Sequence, residues 1–243
     1  MTATLQRGDG RDTLRFERRL AHDPERVWRA VTDPAELREW FPSEVIYEPR
    51  VGAPMQFDFG GAHGIDAWPG EVLEWEPPRV FAFAWGSDVL RFELSPADSG
   101  TLLVFTHAFA HEPGKPARDA AGWEACLEAL LRVLAQTPGD PDVDAWSRHA
   151  ERYAERFGAL AVEDAGHRHR VLLQGPYTEV DGRPAVAVRI DERPAVMVVR
   201  EAGRALADGV AVDVRAGTVD APGDVIASGA LHDPLASGTP AAS

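Results

Sequence analysis

The sequence predicts an α+β protein in which an antiparallel sheet closes on one long amphipathic helix, with a smaller β-rich segment appended after it. Three observations predict this. The stretch from Arg118 to Gln136, RDAAGWEACLEALLRVLAQ, puts Trp123, Leu127, Leu130 and Leu134 on one helical face and Glu124, Glu128 and Arg132 on the other. Between Phe41 and Phe109 the apolar period is two, the mark of half-buried strands. Beyond Phe157 Phe and Trp disappear, Tyr177 is the one aromatic left, and Val and Ala dominate. A long apolar stripe needs a surface to lie on, and the aromatic strands supply one.

In chain order, Met1 to Asp12 is rich in Gly, Asp and Arg and reads as a frayed lead-in. Thr13 to Leu20 alternates Leu14, Phe16 and Leu20 with Arg15, Glu17 and Arg19, a strand with one buried face. Asp23-Pro24 and Asp33-Pro34 each combine an N-capping carboxylate with a proline suited to the first helical turn. They start two short helices, Glu25 to Val31 and one running to Trp40. Met55, Phe57 and Phe59 then alternate, and Gly70 to Trp75 ends at Pro77-Pro78, which stops a ladder. Val80 to Trp85, the Leu90–Phe92–Leu94 segment and Thr101 to Phe109 complete an antiparallel meander with short turns. After the long helix, Pro138 to Pro141 breaks the chain, and Asp142 to Phe157 resumes helical spacing through Trp146, Ala150, Tyr153 and Phe157.

Domain boundaries follow the change in composition: 1–160 for the sheet-and-helix domain, and 161–243 for a small Val/Ala-rich β appendage. His167-Arg168-His169 reads as a charged linker at its start. Asp181-Gly182-Arg183-Pro184-Ala185-Val186 is echoed by Asp191-Glu192-Arg193-Pro194-Ala195-Val196, which suits two consecutive strands with similar turns. Asp233 to Ser243, rich in Pro, Gly, Ser and Ala, reads as a disordered tail.

The totals exclude several classes of function. A formal net charge of -14 over 243 residues argues against nucleic acid and anionic membranes as partners. One cysteine, Cys126, rules out an intrachain disulfide and a zinc–thiolate framework. The N-terminus lacks the apolar core of a signal peptide, and no apolar run approaches the ~20 residues of a membrane span. A cytoplasmic, reducing home fits. No metal-ligand spacing or nucleotide-binding glycine loop stands out, so neither metal nor cofactor is expected.

The segments FERRLAHDPERVWRAVTDPAELREWF (Phe16 to Phe41), GEVLEWEPPRVFAFAW (Gly70 to Trp85), GTLLVFTHAF (Gly100 to Phe109) and GWEACLEALL (Gly122 to Leu131) are more specific than the order of elements. Together they resemble the SRPBCC proteins of the START-like superfamily, in the bacterial branch related to the activator of the heat-shock chaperone ATPase. The resemblance covers Leu14 to Phe157. It implies a helix-grip fold, a curved antiparallel sheet wrapped on a long C-terminal helix, with a cavity between them for an apolar or amphipathic small molecule. The family hosts lipid carriers, hormone receptors, cyclases and chaperone regulators, so fold alone does not set function.

A cavity between sheet and helix would be lined by Trp40, Phe57, Phe59, Phe83, Trp85, Phe92, Phe105, His107, Trp123 and Leu127. His107 shares a face with Phe105 and Phe109, where an imidazole could orient a ligand or act as a base. His63 and Asp66 could sit at the mouth. The leading reading is binding of a small hydrophobic molecule, without catalysis. A cyclase- or hydrolase-like enzyme would need an acid converging on His107. A third reading is an interaction module engaging a partner protein or a second copy of the chain.

Overall fold

The computed structural model describes residues 2–8, 10–60, 67–137, 145–191 and 193–236. The chain separates into two compact units, Met1–His111 with Trp123–Ala145, and Glu112–Gly122 with Trp146–Ser243. The second therefore takes in 112–122 and 146–157, residues that composition alone groups with the first.

The first unit is built on an eight-stranded antiparallel sheet in the order β1-β2-β8-β7-β6-β5-β4-β3. Its strands are β1 (Thr4–Arg7), β2 (Asp12–Leu20), β3 (Glu44–Tyr47), β4 (Pro54–Asp58), β5 (Ala67–Glu76), β6 (Val80–Trp85), β7 (Asp88–Ala97) and β8 (Gly100–Phe109). Helices α1 (Pro24–Thr32) and α2 (Pro34–Leu37) join β2 to β3. Both start where the sequence places them. Asp23 accepts the Arg26 N–H at 2.7 Å and Asp33 accepts the Ala35 N–H at 2.9 Å. Helix α2 closes at Leu37 and the chain turns before Trp40, whose indole N–H donates to the Ala30 carbonyl at 2.8 Å.

Residues 4–7 are not a frayed lead-in. They form an edge strand with Leu5 opposite Leu14. Their side chains are mostly exposed, so the pairing is a backbone matter that leaves no apolar period to read.

Helix α3 spans 20 residues, Lys115–Leu134, and supplies residues to both units. It is central rather than C-terminal, since α4 (Ala145–Phe157) and six further strands follow it. No helix among the described residues is long and apolar enough to cross a membrane.

In the second unit β9 (Leu160–Asp164), β10 (His167–Val180), β11 (Arg183–Ile190), β12 (Arg193–Val199), β13 (Ala211–Gly217) and β14 (Pro222–His232) close into an antiparallel barrel, with β14 pairing back onto β9. Val186, Val188 and Ile190, then Ala195, Met197 and Val199, then Val212 and Val214 alternate into one core. Small and β-branched side chains suit so narrow an interior, which explains the loss of aromatics after Phe157. The echoed turn at Asp181-Gly182 has φ of 53° and 68°, the paired left-handed geometry of a tight hairpin. Asp191 opens the second copy at φ 47°, and Glu192 lies outside the described residues.

Two expectations are corrected here. His167 to His169 begin β10, paired with Val162 to Asp164, rather than forming a linker. Residues 233–236 are held in a turn, with Asp208 accepting the Asp233 N–H at 2.7 Å and Asp233 accepting the Leu235 N–H at 3.0 Å. Residues 138–144 and 237–243 lie outside the described residues.

Candidate functional site

Strand register explains how the aromatic layer of the first unit is assembled. Phe16, Phe105, Phe92, Phe81 and Trp75 stand opposite one another across β2, β8, β7, β6 and β5. The adjacent row on the same face reads Leu14, His107, Leu90, Phe83 and Val72. Period-two alternation in β2, β6, β7 and β8 makes these rows inevitable once the register is set, and in β5 a register shift between Val72 and Glu74 keeps Val72 and Trp75, three residues apart, in line with them.

The expected pocket residues are brought together, but chiefly onto one another. Phe92 stacks on Phe105 at 4.7 Å between centroids, and Phe57 lies 4.5 Å from Trp85 and 5.6 Å from Phe83. Trp123 of α3 meets Phe105 at 4.9 Å, Phe41 at 5.6 Å and Trp85 at 6.1 Å. Trp40 stands edge-on to Phe92 at 6.0 Å, and Leu127 is buried. Phe59 follows the end of β4, half-buried, against Trp68 and Trp85. His63 and Asp66 fall outside the described residues.

His107 is 2% exposed, and both ring nitrogens are engaged. The Trp123 indole N–H donates to Nδ1 at 3.0 Å, and Nε2 lies 2.9 Å from Asp88 Oδ2. An indole only donates, so Nδ1 must present its lone pair and the proton sits on Nε2, donating to Asp88. This chain ties α3 to β8 and β7 and fixes the ring. Such a histidine is well placed to hold α3 in register, and poorly placed to take a proton from a substrate. His111, four residues on, pairs instead with Asp12 at 2.7 Å.

Sequence reasoning missed Asp88. Extending the Leu90–Phe92–Leu94 alternation one step back puts Asp88 on the same face as His107, and the tight turn before it hid the start of the strand. It also missed a cleft of about 270 Å³ lined by Arg38, Glu39, Trp40, Phe41, Ala125, Cys126, Glu128, Ala129, Arg132 and Ala145. Of the expected pocket residues, Trp40 is the one among these. The cleft lies beside α3, where short side chains at Ala125, Cys126 and Ala129 leave room next to Trp40 and Phe41.

Cys126 keeps part of its surface, yet burial among apolar neighbours pushes its thiol up to about 12. At pH 8 a thiol-specific disulfide reagent should react with the folded protein roughly a thousandfold more slowly than with the urea-unfolded chain, because the thiolate is the nucleophile. Similar rates in the two states would mean that the thiol is open to water. The unfolded chain loses this proton first, so the contribution of Cys126 to stability declines as pH rises from about 9 toward 12.

Residues 21–135 match the family model described as Activator of Hsp90 ATPase homolog 1-like protein. This stretch is an activator-like domain of that family. It thereby belongs to the SRPBCC group, and apart from residues 16–20 the four sequence motifs fall within it. Among solved structures, a conserved protein of unknown function from Enterococcus faecalis is 22% identical with a TM-score of 0.55, covering 63% of this chain and 88% of that one. A Bordetella parapertussis protein, solved by NMR, is 27% identical with a TM-score of 0.50, covering 59% and 85%. These are likenesses of fold. No curated protein is similar enough to count as a match.

Proposed function

We propose that the activator-like domain binds a small hydrophobic or amphipathic molecule in the cleft beside α3. The observation that carries this reading is the lining itself: an indole, a phenyl ring, three alanines and a protonated thiol form an apolar wall, with charged groups alongside. Apolar contact on such a wall contributes about 25 cal/mol per Å² removed from water. The helix-grip arrangement, with the sheet curving around α3, belongs to the same proposal, and the ring contacts from Trp123 to Phe105, Trp85 and Phe41 support it. A cytoplasmic setting, consistent with a single free thiol, is part of it too. Binding is favoured over catalysis because in the buried Asp88–His107 pair both ring nitrogens are already engaged.

The test is displacement of a neutral, environment-sensitive apolar dye from the purified full chain. Trp40→Ala should weaken dye binding, and Ala129→Leu, which fills the cleft, should weaken it while leaving the protein folded. Dye binding unchanged by both substitutions would overturn the assignment.

A further inference from the structure

Resting on that reading of the cleft, we infer that its ligand carries a single carboxylate, received by Arg132. The cleft is lined by two cations. Arg38 is already committed, donating to Glu44 at 2.5 Å. Arg132, in the last turn of α3, is half-buried, and its guanidinium makes no hydrogen bond or ion pair among the described residues. A guanidinium presents a planar fork of donors that fits a carboxylate through two parallel bonds. The wall formed by Trp40, Phe41, Ala125, Cys126 and Ala129 suits an alkyl chain attached to that headgroup.

The other charges narrow the choice of anion. Glu39 and Glu128 line the same cleft, so a dianion such as a phosphate monoester would meet twice the repulsion felt by a carboxylate. Glu128 stands four residues before Arg132, a spacing that permits an ion pair, yet Arg132 makes none among the described residues. A solvent-reachable pair on a helix surface is worth little, so a ligand carboxylate can compete for the guanidinium. The position of Arg132 near the negative end of α3 accounts for a cation there. It does not account for a cation turned into an apolar cleft.

The experiment uses the full chain at pH 8, with decanoate and decanol as probes that share a chain length and differ in headgroup. Each displaces the same neutral dye, in the wild type and in Arg132→Gln. Decanoate is expected to displace the dye at about tenfold lower concentration than decanol, a gap typical of a charge-assisted contact. Arg132→Gln should remove that gap and leave decanol unchanged, and added salt should narrow it in the wild type. If decanoate and decanol compete equally, or if the gap survives Arg132→Gln, the headgroup assignment is overturned while the ligand-binding reading stands. If neither displaces the dye, both are overturned.

Discussion

Replacing Phe105 by Ala is expected to lower the unfolding free energy by about 3–5 kcal/mol, the usual cost of emptying a large buried aromatic site. Phe105 is fully buried and touches rings on three sides: Phe92 at 4.7 Å, Trp123 at 4.9 Å and Phe16 at 5.6 Å. Those neighbours belong to β7, α3 and β2, so no single element can move in to fill the hole. Urea unfolding followed by near-ultraviolet circular dichroism reports on this aromatic layer and gives the change from the shift in midpoint. The measurement also bears on function. A loss below about 1 kcal/mol would mean loosely packed rings with room for a ligand among them, and would move the proposed site from the cleft into the layer.

A loss of similar size is expected at the ion pair joining β2 to α3. Arg18 Nη2 lies 2.6 Å from Glu124 Oε1, with the side chains only 11% and 8% exposed. Arg18→Met removes this guanidinium from a buried carboxylate, which costs up to about 3–5 kcal/mol where burial is this deep. Combining it with Glu124→Leu removes both charges and should recover much of that loss, since an apolar pair avoids the desolvation penalty. Thermal unfolding of the two single variants and the double variant closes the cycle. Additive losses would overturn the idea that the pair acts as a unit. The same ion pair orients the face of α3 that carries Trp123, next in sequence to Glu124.

Much of the first unit was legible because its information is local. Asp23 and Asp33 announce their helices through the chemistry of a cap followed by proline. Leu103, Phe105, His107 and Phe109 announce a common face by alternation alone. Four motifs together carried the family, which the match over 21–135 then established. The pairing of residues 4–7 carried no such signal, because an edge strand is held by backbone bonds that its exposed side chains do not encode. The barrel was visible only as runs of valine. Whether such runs make an open sheet or a closed one depends on β14 finding β9, a contact between distant parts of the chain that no local pattern specifies.

The candidate site shows the same division. By itself the sequence determined that His107 shares a face with aromatic residues and that Trp123 heads the stripe of a helix, since each follows from a period within one segment. Only the tertiary structure decided that His107 would meet Asp88 and Trp123, that the aromatic rings would fill the space between them, and that open volume would remain beside Trp40, Cys126 and Ala129. Periodicity tells which way a side chain points within its own element. Register and packing between elements tell what it meets there, and a cleft exists only as the gap left when several of them come together.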